Sequence, residues 1–309
     1  MKHLLSIEAL TGDEIARIIA LGERMKAERG GHAAQPLAGQ CWALMFSKAS
    51  TRTRVSFEVG IRELGGDVMF LSANDIQLGR GEPIKDTARV MGRMLGGAII
   101  RTFAQADVEL FAEYSGIPTI NALTDDEHPC QILADLQTIK EKLGGYAGRK
   151  VCFVGDGACN VARSWIWAAA RCGFELAIAA PVNYQPDPAL LKAAASGNIR
   201  VTSDPEEAAR GADVLYTDVW VSMGKEEEAA YRVAQLGGYQ INRQLVAAAP
   251  GALVMHCLPA YREKEITDEV FEEHAGTIFD EAENRLHAQK AVLWLLSEGW
   301  GIKNKDPEP

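Results

Sequence analysis

Cys41-Trp42-Ala43-Leu44-Met45-Phe46 runs directly into Ser47-Lys48-Ala49-Ser50-Thr51-Arg52-Thr53-Arg54. The first six residues are an apolar run of strand length, and helical spacing follows from about 52 to 64, where Gly65-Gly66 closes it. A strand that opens into a helix is the building unit of an α/β protein, whose ligands sit beyond the carboxyl ends of parallel strands. Four other apolar runs end the same way. Arg101 follows Gly97-Ala98-Ile99-Ile100, and Asp156 to Asn160 follow Val151-Cys152-Phe153-Val154. Asp218 and Ser222-Met223-Gly224 follow Asp213-Val214-Leu215-Tyr216-Thr217, and His256-Cys257-Leu258-Pro259 follows Ala252-Leu253-Val254-Met255. Five such segments are expected to converge on one or two facing clefts.

Outward from that stretch, residues 1 to 30 read as helical, with Thr11-Gly12-Asp13 as a cap region. Val68-Met69-Phe70-Leu71 reads as a short strand, 72–83 as a loop, 87–95 as a helix and 97–103 as a buried strand. Val108 to Tyr114 is helical, and Pro118-Thr119-Ile120 a further strand. A helix opens at His128, with Pro129 suited to its first turn. Ile132, Leu136, Ile139 and Leu143 fall on one face, and Gly144-Gly145 end it. Strands at 150–154, 175–180, 199–202, 213–217, 252–256 and 277–279 then alternate with helices, the pattern of a doubly wound parallel sheet. The predicted architecture is α/β, with two domains, each a mostly parallel sheet flanked by helices, joined by two long helices. Residues 1–143 form the first domain and 144–285 the second. A final helix from about 286 to 298, within a segment 286–305, packs back on the first.

The chain has 309 residues, enough for two hydrophobic cores. No apolar run reaches 18 residues, so no membrane span is predicted. The start lacks a signal-peptide core, because Glu8, Asp13 and Glu14 interrupt it. None of the six cysteines (41, 130, 152, 159, 172, 257) forms a Cys-x-x-Cys pair. Neither a zinc site nor a disulfide framework is therefore predicted, and a reducing cytoplasm fits. A formal net charge of −10 argues against nucleic acid as a partner. Against that background the arginines at 52 and 54 stand out, because an anion would be drawn in by a local field only.

Ser50 to Arg54 has the chemistry of a phosphate cradle. The first amides of a helix lack intrahelical partners, and the helix dipole favours an anion there. Ser50, Thr51 and Thr53 add hydroxyls, and Arg52 can grip a phosphate with two parallel hydrogen bonds. Arg101, ending a buried strand, is a costly place for a charge without a counter-ion. His128 and Gln131 lie three apart at a helix start, so both side chains reach one spot. Asp218, an acid at a strand end, suits an ammonium. Gly155-Asp156-Gly157 fails the dinucleotide fingerprint: Asn160 stands at the third glycine position, and no acid follows Ala179-Ala180-Pro181. His256 and Cys257 point to opposite faces of a strand and are unsuited to chelate one metal.

Phe46 to Glu58 resembles the carbamoyl-phosphate motif of the aspartate and ornithine carbamoyltransferases. The likeness continues through Leu78-Gly79, Asp86-Thr87-Ala88-Arg89-Val90, His128-Pro129-Cys130-Gln131 and Asp218 with Ser222-Met223-Gly224. It ends at His256-Cys257-Leu258-Pro259 and Glu283-Asn284-Arg285, so it spans nearly the whole chain. The Ser-Met-Gly and His-Cys-Leu-Pro runs point to the ornithine branch. The resemblance implies a carbamoyl-phosphate site from Ser50, Thr51, Arg52, Thr53, Gln77, Arg101, His128, Pro129, Cys130, Gln131, Cys257, Leu258 and Arg285. It gives Arg52, Arg101, His128 and Cys257 the catalytic work, with His128 polarising the carbonyl. It gives ornithine binding to Asn160, Asp218, Ser222 and Met223. It also implies a cis peptide before Pro259 and a loop at Gln77 that reaches a neighbouring subunit. The branch usually has Asn-Asn where this chain has Cys159-Asn160.

The implied reaction is carbamoyl transfer from carbamoyl phosphate to the δ-amine of L-ornithine, in arginine biosynthesis. The implied protein is a cytoplasmic homotrimer with sites at subunit boundaries and needs no metal or organic cofactor. The proton acceptor stays open among Cys257, Asp218 and the departing phosphate, and Ser222-Met223-Gly224 is expected to close as a lid. Two other readings remain: a carbamoyltransferase for putrescine, lysine, acetylornithine or aspartate, or a non-catalytic binding relative.

Overall fold

The computed structural model describes residues 1–31, 34–72, 81–194, 198–222 and 224–301. The chain divides into two compact units, Met1–Gln137 with the segment from Asn284 onward, and Thr138–Glu283. The first unit contains α1 (Gly12–Ala27), β1 (Cys41–Phe46), α2 (Thr51–Glu63), β2 (Asp67–Ser72), α3 (Ile84–Met91), β3 (Gly97–Arg101), α4 (Gln105–Ser115) and β4 (Thr119–Leu123). The chain leaves it within α5 (Pro129–Leu143). The second unit holds β5 (Lys150–Val154), α6 (Asn160–Cys172), β6 (Glu175–Ala179), α7 (Pro188–Ala194), β7 (Ile199–Thr202), α8 (Pro205–Ala209) and β8 (Val214–Thr217). It continues through α9 (Ala229–Leu236), α10 (Arg243–Ala248), β9 (Leu253–His256) and α11 (Asp268–Glu273), and the chain returns within α12 (Ala275–Gly301).

Among the described residues the first sheet is ordered β2-β1-β3-β4 and the second β7-β6-β5-β8-β9, with every pairing parallel. Parallel strands need helical crossovers on their faces, so their side chains are buried on both sides. That accounts for the unbroken apolar runs: β3 is buried at every position and β1 at all but its first. In each sheet the winding reverses once, between β1 and β3 and between β5 and β8. Such reversals leave a crevice at the strand ends where ligands sit.

The second unit's core includes Phe153, Trp165, Phe174 and Tyr216, all fully buried. Trp165 meets Phe174 edge-on at 5.7 Å and Tyr216 at 5.2 Å. Aromatic pairs of this geometry add about 0.5–1.5 kcal/mol each beyond their buried area. They hold α6 against β5 and β8, under the strand ends that carry Asp156 and Asp218.

Three expectations need correction. Residues 1–10 are not helical. Thr11 and Glu14 form a reciprocal capping box that starts α1 at Gly12. Upstream, Leu4 lies extended beside β4, donating to Thr119 O at 2.9 Å and accepting from Asn121 N at 2.7 Å. Leu4 and Ile7 are fully buried, so this segment satisfies the β4 edge and hides apolar surface together. Second, Thr277-Ile278-Phe279 is not a strand but the first turn of α12. Ile278, Glu281, Asn284 and Arg285 are buried at spacings of three and four, the helical period that a strand-like triplet of two β-branched residues and an aromatic concealed. The final helix therefore spans 275–301 rather than 286–298. Third, α3 occupies Ile84–Met91, not 87–95, because Pro83 sets its start.

Candidate active site

In the first unit the β1 to α2 turn is built by Ser50. Its backbone is extended, and its hydroxyl accepts from Thr53 N at 3.3 Å and donates to Thr53 Oγ1 at 2.9 Å. Ser56 Oγ donates to Arg52 O at 2.7 Å and accepts from Gln289 Nε2 at 2.9 Å. Thr51 is exposed and Arg52 half-buried at the open end of the helix, while Arg54 is exposed and tied to Glu58 at 2.7 Å. Arg54 also lies over the Phe70 ring at 3.8 Å. Of the two arginines, Arg54 is therefore engaged along the outer face of α2.

Register places Arg101 beside Phe46, and Arg101 O accepts from Ser47 N at 2.8 Å. The Arg101 side chain is buried at the switch point. From the other side comes Arg285 on α12, 3% exposed. It donates to Gln131 Oε1 at 2.7 Å, to Gln289 Oε1 at 3.0 Å and to Thr53 Oγ1 at 3.4 Å. Gln131 in turn donates to Asp135 at 2.8 Å. One guanidinium thus fixes the first turns of α2 and α5 together. His128 is buried at the start of α5 within the fields of Arg285 and Arg101. Burial first, then those two cations, holds its pKa well below the ordinary imidazole value. The ring is neutral near pH 7 and can donate one hydrogen bond without adding charge.

Pro129 opens α5. The Cys130 thiol packs inward, donating to Asn121 O at 3.4 Å, and burial pushes it up to about 12. Cys130 can thus offer a ligand only its backbone. Lys48 is a further cation at this end of the first sheet. It is buried, pairs with Asp125 and sits 4.3 Å over the Phe103 ring. Its position directly after an apolar strand was the available signal.

In the second unit Asp218 follows β8 beside the end of β5, where Thr217 Oγ1 donates to Val154 O at 2.7 Å. Asp218 Oδ1 accepts from Val219 N at 2.7 Å and from Cys257 Sγ at 2.9 Å. Burial raises the carboxyl, partly countered by His256, the thiol and the Val219 amide. His256, fully inside, accepts from Leu258 N at Nδ1 (2.8 Å), so its proton resides on Nε2 and is donated to Glu265 at 3.1 Å. Glu265 also accepts from Tyr261 N at 2.6 Å, and Glu281 from His256 N at 2.9 Å. These buried bonds, with Leu258 at φ 55° and a cis bond before Pro259, set the turn that offers Cys257 to Asp218.

Asn160 begins α6, capped by Cys159, whose sulfur accepts from Ala162 N at 3.4 Å. The Cys159 thiol is buried, with its pKa well above the ordinary value through burial and the charges of Asp156 and Asp218. It is an apolar filler beside Asn160 rather than a nucleophile. Gly157 is required by space: a Cβ there would lie 2.8 Å from Ile178 Cγ2 and 3.1 Å from Tyr184 O. Ser222 is half-buried two residues beyond Trp220. Gln77, Leu78, Gly79 and Met223 lie outside the described residues, so the expectations for them, and for a lid through Met223, are not addressed. Among the described residues no group of His, Cys, Asp and Glu could hold a metal ion, and no helix is long and apolar enough to cross a membrane.

Comparison with known proteins matches both parts of the chain. Residues 2–141 match the sequence model of the aspartate/ornithine carbamoyltransferase carbamoyl-P binding domain, and 147–296 that of the Asp/Orn binding domain. The chain is 62% identical over 301 residues to the ornithine carbamoyltransferase of Akkermansia muciniphila, covering 96% of this chain and 99% of the relative. It is 51% identical over 303 residues to that of Gloeobacter violaceus, covering 96% of each. Among solved structures, the anabolic ornithine carbamoyltransferase of Campylobacter jejuni superposes with a TM-score of 0.92 at 42% identity, covering 97% of this chain and all of that one. The enzyme of Pyrococcus furiosus gives 0.91 at 44%, over 96% and 97% of the two chains. With both sequence models matched in order, and these relatives alike over nearly their full lengths, the chain belongs to the aspartate/ornithine carbamoyltransferase family, in its ornithine carbamoyltransferase branch.

Proposed function

We propose that this chain transfers the carbamoyl group of carbamoyl phosphate to the δ-amine of L-ornithine, giving L-citrulline and phosphate. One observation carries the reading. The two sheets each have one switch point, the first surrounded by guanidinium groups and a helix N-terminus, the second by carboxylates and an amide. The first suits an anionic electrophile and the second an amino acid.

In this reading the amides and hydroxyls of Ser50, Thr51 and Thr53, with Arg52 and Arg101, bind phosphate. Neutral His128 donates to the carbamoyl oxygen, where negative charge develops, and Gln131 and Arg285 orient that end. Pro129 and Cys130 contribute backbone, as does Leu258, and Gln77 is assigned to the same ligand. Asp218 takes the α-ammonium of ornithine, Asn160 its carboxylate, and Ser222 and Met223 the remaining contacts. The nitrogen lone pair attacks the carbonyl carbon, the bond to the phosphate oxygen breaks, and phosphate leaves with the electron pair. An alkyl amine titrates near ~10.4, so it must first lose a proton. Cys257 donates to Asp218, so a proton passing to the sulfur has an onward route to that carboxylate. Orientation and fixed charge supply most of the acceleration.

The proposal extends to a cytoplasmic homotrimer serving arginine biosynthesis, with sites at subunit boundaries. The family's usual assembly and the exposed apolar side chains Val55 and Met69 support the oligomer, which sedimentation would measure. The deciding experiment is carbamoylation with ornithine, putrescine, lysine, acetylornithine and aspartate in parallel. Citrulline formation is expected to dominate in kcat/KM, and a higher value for any other amine would overturn the reading.

A further inference from the structure

Arg232 on α9 is absent from the roles above, yet it joins the segments that carry them. Its guanidinium donates to Asp156 Oδ2 at 2.8 Å, with the two side chains only 12% and 9% exposed. It also donates to Glu228 at 2.8 Å, reaches Trp220 O at 3.5 Å and lies 5.3 Å from the Tyr184 ring centre. Asp156 stands two residues beyond Val154, and Asp218 one beyond Thr217, which pairs with Val154 in register. The two acids therefore end adjacent strands at the switch point, and Asp156 lies in the field of Asp218. Asp156 also shapes the turn into α6: its Oδ1 accepts from Ala158 N at 3.0 Å and its backbone oxygen from Cys159 N at 3.2 Å.

A zwitterionic amino acid presents both signs at once. Asp218 serves its ammonium, but an uncompensated second carboxylate beside Asn160 would repel its carboxylate. We infer that Arg232 is a positioning and specificity residue for the amino-acid substrate, neutralising Asp156 so that Asp218 alone meets the ammonium and Asn160 can accept the carboxylate. Its bond to Trp220 O, two residues before Ser222, holds the neighbouring segment in step. The inference rests on the ornithine reading above.

The test is steady-state kinetics of the full-length protein, with each substrate varied separately. Arg232→Met is expected to raise the ornithine KM on the order of tenfold or more while leaving the carbamoyl-phosphate KM within about twofold. Arg232→Lys is expected to recover most of the loss. Adding Asp156→Asn to Arg232→Met is expected to lower the ornithine KM again, because the unpaired carboxylate is gone; a purely structural tie would not respond so. Equal rises in both KM values, or a double variant no better than the single, would overturn the inference. If Arg232→Met does not fold, Arg232→Gln with and without Asp156→Asn decides: an ornithine KM raised in the single variant and lowered again in the double supports charge neutralisation, and one unchanged in the single, or raised equally in both, contradicts it. Wild-type protein that makes no citrulline would defeat the ornithine reading itself, a separate outcome.

Discussion

The ends of β1 and β3 and the ends of β5 and β8 are topologically equivalent places with opposite chemistry. At the first, Arg101 and Arg285 are buried, Arg52 stands at an open helix start, and His128 is held neutral by burial and then by its cationic neighbours. At the second, Asp156 and Asp218 end adjacent strands, and buried Glu265 and Glu281 hold the turn through His256. A doubly wound sheet supplies the crevice; the side chains at its rim decide what fills it. The comparison also shows how each cluster of like charge is tolerated. Arg285 donates to the neutral acceptors Gln131, Gln289 and Thr53. Asp156 is matched by a guanidinium, while among the described residues the Asp218 carboxylate accepts from a thiol and an amide.

The largest expected effect that would sharpen this contrast is Arg52→Ala. It should lower kcat by ~10²-fold or more, because charge that develops on the departing phosphate loses its partner. Near-normal turnover would show that the helix start is only a solvated surface. Next is Asp218→Asn, expected to reduce kcat/KM for ornithine by roughly tens-fold, with the KM for carbamoyl phosphate barely moved. A variant that weakened the phosphate donor equally would erase the division of labour. The acceptor panel and the Arg232 series refine the acidic side further.

The smallest effect concerns His128. Its folded-state pKa lies below the unfolded value, so between the two the unfolded chain binds a proton that the folded ring refuses. Stability from this group is complete above pH ~6.5 and is lost as pH falls below that, by at most about 1.4 kcal/mol per pH unit. Urea midpoints of wild type and His128→Gln should therefore converge as pH drops from 7.5 to 5.5. Parallel pH dependences would contradict a neutral, buried ring.

Much of this was legible in the residues. Apolar runs such as Val151–Val154 are buried strands because parallel sheets are covered on both faces. The helix start after β1, with its hydroxyl-rich turn from Ser50, follows from local pattern. What could not be read was anything set by long-range pairing. Leu4 looks helical until β4 offers an open edge, and Ile278 looks like a strand until its burial at helical spacing is seen. Lys48, Arg232 and Asp156 gain their meaning from partners 76 or 77 residues away. Glu265 and Glu281 gain theirs only once His256 lies between them.

The central claim is that a cationic rim in the first unit holds the phosphate of carbamoyl phosphate. A crystal structure with that ligand bound tests it most directly. The account predicts phosphate oxygens in hydrogen-bonding reach of the Ser50–Thr53 turn, Arg52 and Arg101, with the carbamoyl oxygen on His128. Density for the ligand against Asp218 and Asn160 instead, or anywhere away from residues 52, 101 and 128, would contradict it.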